Sequence, residues 1–170
     1  MNKSEQMPRL SYLQKKDIEY ICAAITLNQL AKKAIEILGR MPKPVRWVAG
    51  PITSGTLPVS ENRKRLHRTI LRYKVRGIPT FNYLPFERRA MEILEWETTR
   101  GLNLTDKQRL RVQERLRDEF YAPIFASGLV GELRIMPGSD ESLNVQWKKG
   151  YAKARGIGVK DIPPESVPTS

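Results

Sequence analysis

The chain carries one cysteine, Cys22, and one histidine, His67, among 170 residues. A single cysteine excludes an internal disulfide and a cysteine-built zinc site. A single histidine without partners nearby in the sequence supports neither a metal cluster nor a catalytic triad, so no metal and no cofactor are expected. Cys22 reads as a small core residue of a helix and His67 as a helix-surface residue. No apolar run is long enough to cross a bilayer, and no stretch reads as a secretory signal. No membrane partner is therefore expected, and the cytoplasm is the simplest address. There is no internal repeat, no G-x-G-x-x-G fingerprint and no P-loop. Acidic residues are scarce too: 18 Asp and Glu face 30 Lys and Arg, a formal net charge of +12. That imbalance favours anionic partners, against the plain alternative of a solvated basic surface.

What is present suits one domain with a core: 40% of residues are hydrophobic, over a sufficient length. Residues 1–9 are polar. Residues 10–38 read as one helix, ended by Gly39 and guarded by Pro42 and Pro44. Residues 1–44 thus form a helical extension that packs on its own domain or on a second copy. A strand at 45–49 runs into the loop Gly50-Pro51-Ile52-Thr53-Ser54-Gly55. Ser60 caps a helix over 61–76, with Leu66, Ile70 and Tyr73 on one side and basic residues from Arg63 to Arg76 on the other. Residues 78–82 read as a second strand, with Asn82 at the end where open α/β sheets bind ligands. A turn at 84–87 opens a helix to Thr99. After a loop at 101–105, a longer helix follows through Ala126, with Leu110 on its apolar side and a bend at Pro123. Strands at 130–136 and 157–159 follow, and 161–170 reads as an irregular tail. Alternation of this kind argues for a parallel sheet covered by helices.

The stretch 136–157 is the most informative. Pro137 and Gly138 break a strand, Ser139 and Asp140 suit an N-cap, and Glu141 suits a first helical turn. Leu143, Trp147, Tyr151 and Ala154 recur at helical spacing and are expected to face the core. Strand, small-residue turn and helix N-terminus together make a place for an anion. The turns at 50–55 and 137–142 both follow strands, so they are expected to meet at one mouth.

These residues resemble the nucleoside 2-deoxyribosyltransferase superfamily, which includes the nucleoside-monophosphate N-glycosidases. Members open with a strand and a GPI or GSI loop, as in Val48-Ala49-Gly50-Pro51-Ile52. They close with PG-x-x-x-S-x-G-x-x-x-E-x-x-x-A, here Pro137, Gly138, Ser142, Asn144, Lys148 and Ala152. The resemblance covers 45–160. It implies a flavodoxin- or Rossmann-like parallel sheet of four to five strands flanked by helices. It also implies cleavage of, or transfer across, an N-glycosidic bond, and a homo-oligomer. The family's serine at the helix start and its first-loop amides hold a 5′-phosphate or hydroxyl, a role that falls on Ser142, Ser54 and Gly55. Its catalytic glutamate attacks the anomeric carbon or stabilises the cation forming there.

That glutamate's position holds Lys148, whose charge has the wrong sign for an oxocarbenium ion. Three explanations stand open. The chain has kept a ligand and lost the chemistry; or another carboxylate does the work, Glu141 first, seven residues before Lys148 and on about the same helix face, with Asp140 and Glu87 also at the mouth. Or Lys148 itself acts, pairing with a phosphate or forming a Schiff base with an opened sugar. The expected site is therefore Glu141 and Lys148 as catalytic candidates. Gly50, Pro51, Ile52, Thr53, Ser54, Gly55, Asn82, Glu87, Gly138, Ser139, Asp140 and Ser142 are expected to bind a nucleoside or nucleotide. The rival is a basic nucleic-acid-binding or assembly protein using helices 61–76 and 106–117.

Overall fold

The computed structural model describes residues 12–99 and 104–167. The expectation for residues 1–9 lies outside them, as do most of the loop 101–105 and the last residues of the tail. The elements are α1 (Lys15–Ala23), α2 (Leu27–Arg40), β1 (Val45–Ala49), α3 (Val59–Val75), α4 (Leu84–Thr99) and α5 (Asp106–Arg115). A π-helical turn (Leu116–Tyr121), α6 (Ala122–Ala126), β2 (Val130–Ile135), α7 (Leu143–Ala154), β3 (Gly158–Asp161) and a short 3-10 turn (Pro164–Ser166) follow.

The sheet is parallel, with the order β1-β2-β3. Among the described residues it has three strands, not four to five. The expected strand at 78–82 is reduced to one bridge, Arg46 with Thr80. Arg46 donates its N–H to Pro79 O at 2.8 Å and accepts from Phe81 N–H at 3.0 Å. Pro79 has no N–H to extend the ladder, and Asn82 already turns the chain into α4 by accepting the Leu84 N–H at 3.3 Å. The segment nevertheless lies on the free edge of β1, so the chain leaves β1 in one direction and β2 in the other. The crevice beyond the carboxyl ends of β1 and β2 is the switch point where open α/β sheets bind ligands.

Trp47 organises the core. Pairing sets Trp47 beside Leu133 on one sheet face. Its ring stacks on Tyr83 (centroids 4.4 Å, planes 13° apart) and packs against Phe81, Tyr121 and Phe125 at 5.5, 5.9 and 5.1 Å. Phe120 and Tyr121 are consecutive, yet both are fully buried. The π-helical turn makes this geometry, with Ala122 N–H bonded to Arg117 O. The irregularity therefore precedes Pro123, where the sequence suggested a bend; a wider turn also accommodates the missing proline N–H.

The N-terminal region forms two helices, not one. Thr26 and Gln29 make a reciprocal capping box that starts α2 anew. α2 continues through Gly39 to Arg40, whose guanidinium pairs with the buried Asp17 of α1. Leu30, Ala34, Ile37 and Leu38 enter the same core as Trp47. Cys22 is exposed, because the buried face of α1 runs through Asp17 and Ile21. Leu110 is exposed as well, and Val112 takes its place in the core. In the expected tail, Asp161 belongs to β3, while Ile162 and Val167 are buried.

The opposite sheet face carries charge. Glu132 accepts from Arg46, Arg134 and Lys160 at 2.8, 2.9 and 3.0 Å. Burial alone would raise its pKa, but bonds from Lys160, Arg134 and Arg46 hold it below the usual range. The contribution is present above about pH 4.5, the ordinary glutamate value, and is lost as pH falls through the lower folded value. Glu132→Gln is expected to cost on the order of 2 kcal/mol at pH 7 and to flatten the acid limb of stability, read by urea melts from pH 3 to 7.

Candidate functional site

The loop after β1 and the turn after β2 pack directly on each other. A Cβ on Gly50 would lie 2.7 Å from Met136 Sδ, so a glycine lets the two meet. Met136 N–H also bonds Ala49 O at 2.8 Å. Asn62, buried in α3, pins the first loop: its amide nitrogen lies 3.2, 3.1 and 3.3 Å from the carbonyl oxygens of Ile52, Ser54 and Leu57. In the second turn, Ser139 Oγ donates to Met136 O at 2.6 Å. Ser142, not Ser139 or Asp140, is the N-cap of α7, its Oγ accepting from Val145 N–H at 3.4 Å. Gly138 takes a left-handed φ of +78° in that turn, which a side chain would strain.

Two hollows share this loop as a wall. The outer, about 280 Å³, is lined by Pro51, Ser54, Gly55, Asn62, Arg65, Gly138, Asp140 and Glu141, among others. The inner, about 60 Å³, is lined by Gly50, Ile52, Thr53, Arg63, Glu87, Met91, Gln113, Leu116, Ser142, Asn144 and Lys148. Ser54 and Ser142 thus sit on adjoining hollows at one end of the sheet. Ser139 is buried beneath, its hydroxyl committed to Met136. Asn82 lies elsewhere, lining a third cavity of about 350 Å³ with Arg63, Lys64, His67, Leu84, Pro85 and Arg88.

Glu141 and Lys148 do not share a face. Glu141 precedes α7 and is exposed, whereas Lys148 is 2% exposed at the inner cavity. The buried stripe of α7 is Val145, Lys148 and Ala152, while Leu143 is 72% exposed and Ala154 is exposed. The helix is therefore rotated from the expected arrangement, because Trp147 and Tyr151 reach the aromatic core from its flank.

Lys148 projects onto aromatic rings, its Nζ 3.8 Å from the Tyr121 centroid and 4.9 Å from that of Tyr83. Glu87, 6% exposed, leaves Oε2 buried without a hydrogen-bond partner. The hydroxyls of Tyr83 and Tyr121 and the Asn144 Oδ1 are likewise buried and unpartnered. Desolvation lowers the Lys148 pKa to about 8, the Glu87 charge opposing this and Arg117 adding to it. Desolvation raises that of Glu87, against the attraction of Lys148 and Arg63. Tyr83 is pushed well up by burial and then by Glu87. A carboxyl and an amine whose pKa values are drawn toward neutrality can exchange protons with a ligand. No group of metal-binding side chains exists among the described residues.

The fold and this crevice define an α/β protein of Rossmann-like class, with a polar pocket at the carboxyl ends of its strands. Comparison with protein-family models, curated proteins and solved structures found no match.

Tyr83, Tyr121 and Asn62 escaped the sequence reading, and Arg63, read there as part of a basic helix face, lines the inner cavity. The one signal available was spacing: Val145, Lys148 and Ala152 lie at i, i+3 and i+7, which places the lysine on an apolar stripe. Between pH 8 and 10 the unfolded chain holds a proton that folded Lys148 has lost, so this group makes stability rise with pH. Lys148→Met is expected to remove that rise, up to about 1.4 kcal/mol per pH unit, as measured by paired denaturant titrations.

Proposed function

We propose that the chain binds a nucleoside or nucleoside 5′-phosphate in this crevice and cleaves, or transfers across, its N-glycosidic bond. The resemblance to the deoxyribosyltransferase superfamily motivates the reaction class. The observation that carries it is Glu87, a buried carboxyl with an unsatisfied oxygen on the wall of the cavity that Lys148 also lines. The carboxylate missing from α7 is supplied to the same cavity by α4. Breaking a glycosidic bond builds positive charge on the sugar, which a nearby carboxylate stabilises, and a raised pKa lets the same group protonate a departing base. Glu141, exposed on the outer hollow, is not the carboxylate of this reading. The inner cavity takes the anomeric end of the sugar, and the outer hollow, edged by loop residues 51–57 and Arg65, takes the 5′ end. A nucleotide pool such as that of the cytoplasm is the setting this reading requires.

The test is a panel of nucleosides and 5′-monophosphates monitored for free base. Release is expected from at least one member. Glu87→Gln is expected to slow it by about 10²–10⁴-fold with the circular dichroism spectrum unchanged, and Glu141→Gln to change kcat by no more than about twofold, its effect falling on KM for the 5′-monophosphates, since an exposed carboxylate outside the inner cavity has no part in proton transfer. Absence of release across the panel overturns the N-glycoside reading, and absence of binding as well overturns the ligand.

A second reading rests on the cavity between α3 and α4, where Arg63, Lys64, His67 and Arg88 converge. There the chain is a nucleic-acid-binding or assembly protein. Its binding falls steeply with added salt, whereas a nucleotide enclosed in the crevice weakens far less.

A further inference from the structure

We propose that Lys148 is the covalent nucleophile of the crevice, its ε-amine forming an imine with C1 of the sugar. This deepens the N-glycoside reading and rests on it for the substrate. A lysine kept for structure alone is ordinarily paired or exposed. Lys148 is neither: it is 2% exposed, and no hydrogen bond or ion pair joins its Nζ to any described residue. The faces of Tyr83 and Tyr121 back the amine, and Lys148 lines the inner cavity, which neither tyrosine does. Glu87 lines that cavity without an ion pair to the amine, close enough to attract it. α7 fixes the position, because Val145 and Ala152, buried on the same stripe, anchor the helix on either side.

Two opposing effects set the protonation state. Desolvation favours the free amine, and the Glu87 charge favours the ammonium. Desolvation prevails, and the pKa falls to about 8. At pH 7 this raises the nucleophilic fraction roughly 300-fold over an ordinary lysine. Burial of a lysine, with another cation such as Arg117 near enough to oppose its charge, is a known route to such a nucleophile.

The step balances without an oxidant or reductant. The amine lone pair attacks C1′, the C1′–N bond breaks, and the base leaves with that electron pair, taking a proton from the Glu87 carboxyl. The attacking nitrogen loses a proton to the Glu87 carboxylate. Its lone pair then forms C1′=N as the C1′–O4′ bond breaks, and O4′ takes the proton that the Glu87 carboxyl has just received. Water adds to the imine, releases the open sugar as an aldehyde and restores the amine. The replacement of the family's glutamate by lysine then changes the nucleophile and leaves the bond to be broken unchanged.

The experiment uses the whole chain with 2-deoxyribose 5-phosphate or ribose 5-phosphate and sodium borohydride, followed by intact mass and peptide mapping. One reduced sugar adduct per chain is expected, on Lys148. Its formation should be at least tenfold faster than at exposed lysines such as Lys15, with a rate rising as pH passes about 8. Adducts spread over surface lysines, with Lys148 no faster than they are, overturn the proposal, and this arm needs no variant to fold. Base release is followed in parallel for Lys148→Arg and Lys148→Met. Release at the wild-type rate in either variant also overturns it and leaves the N-glycoside reading standing. An adduct on Lys148 without base release from any nucleoside supports the amine and removes the N-glycoside reading.

Discussion

The stacking of Trp47 on Tyr83 is the contact from which the rest follows. β1 is only five residues long, yet it carries the largest side chain of the core at its middle position. That ring is the floor on which residues 81–86, the π-helical turn and α6 converge. Aromatic pairs at these separations contribute beyond their buried area, by about 0.5–1.5 kcal/mol each. Their consequence for the site is geometric. The Tyr83 and Tyr121 rings that pack on Trp47 are the same two that Lys148 lies against. The core and the candidate site are therefore one aromatic cluster, seen from its inner and outer ends.

On that cluster stands an electrostatic arrangement of a different kind from the one on the far sheet face. Glu132 is enclosed by three cations, and its charge is satisfied. Glu87 and Lys148 are deeper, oppositely charged, and attract across a cavity without direct pairing. Their desolvation is left incompletely compensated, which draws both pKa values toward neutrality. Two residues that line the same cavity carry unpartnered buried polar atoms, Glu87 Oε2 and Asn144 Oδ1. A native core satisfies nearly all such groups, so these two support the proposal of a polar ligand in that cavity. The loop over it is held without regular structure, by Asn62 from below and by the close contact of Gly50 with Met136.

Local patterns in the chain determined most of the element order: β1 and its glycine loop, the helices over 59–75 and 84–99, β2, and the strand–turn–helix–strand run that ends the domain. They also placed two small-residue turns beyond strand ends, and parallel strands bring such turns to one side. Charge content, the single cysteine and the single histidine narrowed the chemistry further, since one of each cannot build a Cys/His zinc site.

Tertiary packing decided the rest. Whether 78–82 became a strand depended on a ladder that Pro79 cannot extend. The break at Ala24–Thr26 turned on a capping box competing with a continuous apolar stripe. The rotation of α7 followed from Tyr121 and Phe125 drawing Trp147 and Tyr151 to their flank, and that rotation buried Lys148 and left Leu143 in solvent. Glu87 and Lys148 are 61 positions apart, and nothing local couples them. Periodicity reports which side of a helix is apolar, but the depth of a charged group and the identity of its distant neighbours are properties of the packed core alone.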